Sequence, residues 1–309
     1  MQPRAADWFD RFTSRAQDWP VARSLAAKGA TTVSVVIPAR NEAPTIGGIV
    51  AGIRTELIER VPLVDELVVI DSDSTDDTAA IARDNGAVVH AARSIRADLD
   101  SYAGKGEALW KSQFVTTGDV LVFIDADLTE WGVHFATGLL GPMLTAADTL
   151  LVKGFYDRLL DDGSEIHTPQ GGRVTELVAR PLLNLHWPDL AAVVQPLAGE
   201  WAVRRSAFEQ LSVPIGYGVE LAVLLDVLAA HGLDAIAQVD LGERGHAHQS
   251  VHDLGLMAAE ILTVAARRLG TDTRSDHLWQ FDRHAAPQWR GRAVPQAERP
   301  AGRSSAAAR

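Results

Sequence analysis

Three segments of this chain share one order: a mainly apolar run, a short polar stretch, and then helical sequence. The apolar runs are residues 33–37, 66–70 and 120–124. Strands that alternate with helices predict βαβ units and a parallel sheet. Apolar runs with little polar alternation indicate strands that are buried on both faces. The sequence therefore predicts an α/β fold in which a Rossmann-like, mostly parallel sheet is flanked by helices.

The polar residues of these units stand directly after each strand, at residues 38–42, 71–75 and 125–127. Open parallel sheets bind ligands in the crevice outside the carboxyl ends of their strands. Three polar loops that meet there favour a nucleotide-type site. Ser74 or Thr75 could instead cap the following helix, an alternative that explains Asp71 less well.

Asp125 and Asp127 follow the most apolar of the three strands and lie two residues apart. In an extended chain their side chains project to the same side. Mg²⁺ in proteins usually binds through one or two carboxylates together with substrate phosphates. The pair therefore favours a cation site that carries phosphates. The alternative is a solvated turn in which Asp serves as turn former.

Other candidate residues stand in short strings with two interpretations each. Lys105, between two glycines, could reach a diphosphate from a helix start or be a surface lysine, and the spacing of a phosphate loop is absent. Arg173 follows two glycines at a predicted helix start, which suits an anion site or an ordinary turn. Glu220 could be a positioned carboxylate or a first-turn Glu favoured by the helix dipole. His246 and His248 could bind a metal or be polar surface.

The bulk composition limits the partners. The net charge is −11 although residues 283–309 hold six Arg and one Glu, so the body of the chain is acidic. Nucleic-acid binding needs a basic face, and we expect no such partner. The chain has no cysteine, which fits a reducing compartment, and no stretch approaches the ~20 apolar residues of a membrane span. We expect a cytoplasmic protein with no membrane partner, whose apolar content would permit a homodimer.

The pattern divides the chain into four parts. Residues 1–30 form an amphipathic lead-in, and residues 31–150 hold the three units of strand, polar loop and helix. Residues 151–282 are less regular. Residues 283–309 are rich in Pro, Ala and Arg with little to bury, and we expect this tail to be disordered.

Six strings, in order along most of the chain, carry a family resemblance. The two most specific are Gly171-Gly172-Arg173-Val174-Thr175 with the residues that follow it to 183, and Gly216-Tyr217-Gly218-Val219-Glu220. On these strings the chain resembles the glucosyl-3-phosphoglycerate synthases, which are retaining glycosyltransferases with a GT-A fold. The other four strings are residues 34–42, 71–78, 104–110 and 123–128.

The resemblance implies that residues 31–150 form a nucleotide-sugar-binding half and that residues 151–282 form an acceptor-binding half. It also implies a role for each matching residue. The donor UDP-glucose would be held by Pro38, Ala39, Glu42, Ser72, Lys105, Asp125, Ala126, Tyr217, Gly218, Val219, Glu220 and Arg244. The acceptor 3-phosphoglycerate would be held by Gly172, Arg173, Val174, Thr175 and His248. A Mg²⁺ or Mn²⁺ ion would be held by Asp127 and His246, and the catalytic residues would be Asp125, Asp127 and Glu220.

The implied reaction is the transfer of glucose to 3-phosphoglycerate with retention, in a metal-dependent manner. No residue stands out as a nucleophile for a double displacement. This favours attack by the acceptor on the same face of the sugar from which the leaving group departs. Two alternatives stay open. One is a mannosyl-3-phosphoglycerate synthase that uses GDP-mannose, and the other is a non-catalytic nucleotide-sugar-binding protein.

Overall fold

A computed structural model describes residues 1–160, 172–246, 250–282 and 288–302. It describes no side chain at 158–160 or at 245–246. The strands are β1 (Thr13–Arg15), β2 (Val33–Ala39), β3 (Glu66–Asp71), β4 (Val88–Ala91), β5 (Val120–Phe123), β6 (Leu151–Leu160), β7 (Trp201–Arg204), β8 (Val213–Pro214), β9 (Ile236–His246), β10 (His277–Asp282), β11 (Gln288–Ala293) and β12 (Glu298–Arg299).

The helices alternate with these strands through most of the chain. None of the described helices combines the length and apolar character that a membrane span needs. The α-helices are α1 (Pro3–Phe12), α2 (Val21–Lys28), α3 (Ala43–Arg54), α4 (Thr78–Asp84), α5 (Lys105–Ser112), α6 (His134–Thr145), α7 (Arg180–His186), α8 (Arg205–Phe208), α9 (Val219–His231) and α10 (Val251–Arg268).

The main sheet of the described residues has eight strands in the order β1-β9-β6-β7-β5-β2-β3-β4. Every pairing in it is parallel except those that β7 makes with β5 and β6. The prediction of a mostly parallel α/β sheet with flanking helices is confirmed. Because β2, β3 and β5 run the same way, their carboxyl ends lie at one edge of the sheet.

The core lies on both faces of this sheet, as the apolar strand runs predict. Side chains of β2 alternate between the faces: Val36 belongs to one cluster, whereas Val35 and Ile37 belong to the other. Helices α5 and α9 pack on the first face, through residues such as Trp110, and α3 and α6 pack on the second. Burial of a strand on both faces leaves only its end open to a ligand.

The first 30 residues pack on the body of the protein. Trp8 of α1 is 1% exposed, and its indole N–H donates to the carbonyl of Ile236 at 2.8 Å. Strand β1 then extends the main sheet by pairing with β9. The lead-in therefore completes one edge of the sheet.

The expectation that the tail from 283 is disordered is wrong for residues 288–302. Strand β11 pairs with β10, and β12 pairs with β8. Arg299 is 7% exposed and forms an ion pair with Glu107 at 2.7 Å. Composition could not reveal this, because the partner lies 192 residues away in the sequence. Residues 283–287 and 303–309 lie outside the described part of the chain.

Candidate functional site

The three predicted polar loops meet at one edge of the sheet. Ala39 at the end of β2 stands beside Asp71 at the end of β3, and the N–H of Ser72 donates to the carbonyl of Ala39 at 2.9 Å. From the third loop, the carbonyl of Ala126 accepts a hydrogen bond from Thr45 at 2.6 Å. The structure therefore brings the predicted loops together.

In the second loop, neither Ser74 nor Thr75 is the residue that precedes α4, so the alternative in which one of them caps this helix is wrong. Asp77 is the residue before α4 and makes no capping hydrogen bond with its side chain. Ser74 and Thr75 instead bind Asn41 of the first loop, at 3.0 and 2.8 Å. Because these polar residues join two strand ends, they shape the crevice and do not serve α4.

Lys105 lies at the centre of the crevice between two predicted carboxylates. Its Nζ is 2.5 Å from Asp125 Oδ1 and 2.7 Å from Glu220 Oε1. Lys105 is the first residue of α5 and Glu220 the second of α9, so two helix starts bring the charges together. Burial disfavours the charge on Lys105, but attraction to Asp125 and Glu220 outweighs it and raises its pKa well above the usual range. The interpretations of Lys105 as a surface lysine and of Glu220 as only a first-turn Glu are wrong.

Arg244 on β9 joins the two aspartates from the other side of the crevice. Its Nη2 lies 2.6 Å from Asp127 Oδ1 and 3.4 Å from Asp125 Oδ2. Its Nη1 donates to the Tyr156 hydroxyl at 2.6 Å and lies 3.3 Å from Glu200. Burial opposes the charge, yet the carboxylates, Glu200 first, raise the pKa of Arg244 well above its usual range. Arg244 is thus a fixed cation at the strand ends.

Negative charge exceeds positive charge around the strand ends. Burial and then the neighbouring charges of Asp127, Asp125 and Asp76 raise the pKa of Glu42 from 4.5 to about 7. Burial also raises the pKa of Glu200, although Arg244 opposes it. Several carboxylates close together are an electrostatic setting that favours a divalent cation. The side chain of Asp127 is 40% exposed and open to an ion. Among the described residues no three metal-ligating side chains form a cluster, so Asp127 is the described residue that fits the predicted metal, and the substrate phosphates would supply further ligands.

A buried lysine lies beneath this crevice. Lys153 of β6 is 1% exposed, and its Nζ donates to the carbonyl of Ala198 at 2.7 Å. Burial lowers its pKa to about 8. The adjacent Gly199 is close to Asp125, because a Cβ there would meet the carboxylate at 2.1 Å. Lys153 thus fixes the loop that supports Asp125.

The predicted sugar-binding string precedes and begins α9. Tyr217 is 44% exposed, and its N–H donates to Glu260 Oε2 at 2.6 Å. Gly218 is the residue before the helix, and Val219 is fully buried. A Cβ at Gly216 would meet the Glu260 carboxylate at 1.9 Å, so glycine leaves room for the carboxylate that accepts from Tyr217. Exposed Tyr217 and buried Glu220 thus stand on either side of one tight turn.

The predicted acceptor string precedes α7. Arg173 is exposed, whereas Val174 and Thr175 are buried. The carbonyl of Gly172 accepts a hydrogen bond from the N–H of Glu176 at 3.0 Å, which starts a helical turn from Thr175 to Ala179. Pro181 lies in the first turn of α7, where a missing N–H costs little.

Two predicted histidines lie outside the described side chains. The backbone of His246 ends β9, two residues after Arg244, but its side chain is outside the description, and His248 is wholly outside it. Their roles as metal and acceptor ligands stay predictions.

Sequence reasoning missed Glu200, Tyr156 and Lys153. A signal existed for two of them. Lys153 interrupts the apolar residues of a predicted strand, and Glu200 follows a glycine directly before the strand that begins at Trp201. A charged residue in such a place is costly unless it is paired, so both positions indicated a buried network.

With the geometry established, comparison with known proteins defines the class. The profile of the family described as "Glycosyl transferase family 2" matches residues 34–171. The chain is a glycosyltransferase with the GT-A fold. It is 43% identical to a glucosyl-3-phosphoglycerate synthase of Petrotoga mobilis over 79% of this chain and 75% of that protein. It is 44% identical to the synthase of Mycobacterium tuberculosis over 85% and 81% of the two chains. The chain belongs to the glucosyl-3-phosphoglycerate synthase family, as its motifs predict.

Solved structures agree with this assignment. The synthase of Mycobacterium tuberculosis in complex with Mn²⁺, UDP and phosphoglyceric acid superposes with a TM-score of 0.85 at 40% identity, covering 93% of this chain and 95% of that one. The same enzyme in complex with Mg²⁺ and UDP gives a TM-score of 0.85 at 39% identity, covering 95% and 99%.

Proposed function

We propose that this protein transfers glucose from UDP-glucose to 3-phosphoglycerate, with retention of configuration and with Mg²⁺ or Mn²⁺ as cofactor. The observation that carries the proposal is the crevice in which Lys105 and Arg244 share the carboxylates of Asp125 and Asp127. The two relatives with this activity by name that are described above are more than 40% identical over most of their length. One of them has been solved with UDP-glucose and phosphoglyceric acid together.

The base of the donor would lie at the ends of β2 and β3. Pro38, Ala39, Glu42 and Ser72, which the family resemblance assigns to the donor, belong to the loops at this end of the crevice. Asp71 adds a specific feature: its Oδ1 is buried and has no hydrogen-bond partner among the described residues. A buried acceptor without a donor is costly, and the N–H of a uracil ring would satisfy it. Asp71 therefore supports a uridine donor.

The diphosphate would lie against Lys105 and Arg244. Both are buried cations whose positions are fixed by ion pairs before any ligand arrives. Such preorganised charges stabilise the negative charge that develops on departing UDP. Asp127 and His246 would hold the divalent cation, which when bound neutralises charge on the leaving group.

Glu220 would contact the donor sugar without serving as a nucleophile. Its carboxylate is 5% exposed and lies 2.7 Å from Lys105, so its charge is already engaged. We therefore propose that the acceptor hydroxyl attacks from the face that UDP leaves. Gly172, Arg173, Val174 and Thr175 would orient the acceptor through its phosphate and carboxylate, since N–H groups at a helix start and a guanidinium bind such anions.

We also propose a cytoplasmic location and a homodimer. The lack of cysteine and the metabolic nature of both substrates support the location. Strands β10 and β11 expose Trp279 (62%), Phe281 (38%) and Trp289 (65%), and exposed apolar patches often mark protein interfaces. Light scattering after size exclusion tests the dimer: a mass near 33.2 kDa at all concentrations would reject it.

A donor panel tests the function. Purified protein is incubated with 3-phosphoglycerate and with UDP-glucose, GDP-glucose, GDP-mannose or UDP-galactose, with Mn²⁺ or with EDTA. We expect nucleotide release that requires both the acceptor and the metal and is fastest with UDP-glucose. Fastest release from GDP-mannose would establish the mannosyl alternative, and no acceptor-dependent release with any donor would reject transferase activity.

A further inference from the structure

A buried ion pair joins the C-terminal segment to the helix that carries Lys105. Both oxygens of Glu107 accept from Arg299, at 2.7 Å from Nε and 2.7 Å from Nη2. Glu107 is 1% exposed and Arg299 is 7% exposed. Two parallel hydrogen bonds between a guanidinium and a carboxylate fix both groups in orientation as well as in distance.

Further contacts hold Arg299 in place. Its guanidinium carbon lies 4.7 Å from the ring centre of Tyr102 and 4.9 Å from that of Trp110. Its Nη2 also donates to the carbonyl of Asp100. The indole N–H of Trp110 donates to the carbonyl of Pro300 at 2.8 Å. Residues 297–300, called here the C-terminal brace, are therefore bound firmly to the segment that leads into α5.

The C-terminal brace also contacts the second helix start of the donor crevice. Strand β12 pairs with β8, and the carbonyl of Ala297 accepts from the N–H of Ile215 at 3.2 Å. Ile215 in turn accepts from the N–H of Glu107 at 3.0 Å, and Gly216 accepts from that of Gly106 at 3.2 Å. Three segments from distant parts of the sequence thus form one hydrogen-bonded unit.

This unit determines the placement of two charged donor-site residues. Lys105 stands two positions before Glu107 in α5, and Glu220 follows the turn that begins at Gly216. Their side chains meet at 2.7 Å on the crevice side of the unit. A small rotation of α5 relative to that turn would separate them, and misplacement by about 1 Å can cost 10²-fold in catalysis.

We propose that the C-terminal brace positions the donor site, with Arg299 as the positioning residue. Its ion pair with Glu107 fixes the start of α5, and hence Lys105, relative to Glu220. This inference rests on the proposed function only in taking Lys105 and Glu220 to be donor ligands. It gives the Arg-rich C-terminal sequence a role at the site, although Arg299 contacts no substrate.

Calorimetric titration of UDP in the presence of Mn²⁺ tests the brace, with Arg60→Met as control because Arg60 forms an exposed pair with Glu56, outside both the crevice and the proposed dimer surface. We expect Arg299→Met to weaken UDP binding about tenfold, which corresponds to ~1.4 kcal/mol. Arg299→Lys should recover part of the loss, since it keeps the charge but not the two-pronged geometry. In steady-state assays the KM for UDP-glucose should rise, while the KM for 3-phosphoglycerate stays within about twofold.

A double-mutant cycle with Glu107→Gln separates positioning from general destabilisation. If the pair acts as one unit, Glu107→Gln should weaken UDP binding in the wild-type background and have little further effect beside Arg299→Met. Should Arg299→Met fail to fold, Arg299→Lys and Glu107→Gln are measured in the same way. Folded variants that bind UDP as tightly as wild type would overturn the brace and leave the proposed function standing. A wild-type protein that binds no UDP with Mn²⁺ would overturn both.

Discussion

Helix α5 begins with two buried charged residues, Lys105 and Glu107, whose surroundings are opposite in character. Lys105 faces the crevice, where it is paired with Asp125 and Glu220. Glu107 faces the protein interior, where it is paired with Arg299 at 2.7 Å and lies 3.3 Å from Lys111. Two positions on one helix thus belong to two ion-pair clusters.

The clusters differ in exposure and in balance of charge. Around Glu107 the groups are almost fully buried, and cations compensate the single carboxylate. Around Lys105 the carboxylates of Asp125, Asp127, Glu200 and Glu220 outnumber the cations Lys105 and Arg244, and Asp127 is open to solvent. The cluster of Glu107, Arg299 and Lys111, called here the balanced cluster, has its carboxylate fully paired without a ligand and fixes the position of α5. The cluster around Lys105 has an excess of negative charge that a bound cation would neutralise. The comparison therefore separates residues that should act on activity directly from those that should chiefly control stability and act on activity only through the position of Lys105.

The largest effect is expected at Asp127. Asp127→Asn should lower the rate of UDP release about 10³-fold or more, because it removes a predicted metal ligand and a partner of Arg244. The unfolding free energy should change little, since the side chain is 40% exposed. Asp272→Asn, at an exposed position, is the control. Near-normal turnover by Asp127→Asn would remove Asp127 from the site.

The cluster around Glu107 should show a large effect on stability, in addition to its effect on UDP binding through Lys105. Glu107→Ala leaves the buried cations Arg299 and Lys111 without their carboxylate, and should reduce the unfolding free energy by about 3–5 kcal/mol. Urea titration measures this. The control Glu59→Ala breaks an exposed pair with Arg54 and should cost about 0–1 kcal/mol. Equal losses of unfolding free energy in the two variants would mean that the buried pair contributes no more to stability than an exposed pair does.

Lys105 should affect donor binding and turnover together. Lys105→Met removes the cation between Asp125 and Glu220, so kcat/KM for UDP-glucose should fall about 10²-fold. The matched control is Lys28→Met, which breaks a pair with Asp65 at 2.8 Å elsewhere in the fold. That variant should lose stability and retain its affinity for UDP. If both lysine variants lose UDP binding equally, the loss reflects general destabilisation and Lys105 has no special role.

The smallest effect concerns pH and Glu42. A carboxyl whose pKa rises from 4.5 in the unfolded chain to about 7 in the folded protein binds more protons in the folded state between those values. Its contribution to stability is therefore greatest at low pH and is lost as the pH rises through about 7. Relative to Glu42→Gln, wild type should become less stable across this window. A constant difference between their melting temperatures from pH 5 to 8 would show that Glu42 is not perturbed.

The residues at the strand ends could be predicted from the sequence more fully than the buried ion pairs that hold them in place. Polar residues directly after apolar strands must meet at one edge of a parallel sheet, so Asp125 and Asp127 could be placed without a structure. Arg244 was assigned only through family resemblance, and its contact with Asp127 depends on how β9 lies in the sheet. Arg299 could not be predicted at all, because its ion pair is a tertiary contact in a segment whose composition suggests disorder. Local patterns determine where strands end, whereas buried pairs between distant segments depend on the whole fold.

Proton NMR of the reaction product tests the central claim most directly. UDP-glucose, 3-phosphoglycerate and the diamagnetic ion Mg²⁺ are incubated with the enzyme, and the anomeric region is followed over time. We predict a new α-glucosyl anomeric signal that grows as the signal of UDP-glucose declines and that is absent with EDTA. A β-glucosyl signal would contradict retention, and the absence of any new acceptor-dependent anomeric signal would contradict the proposed transfer itself.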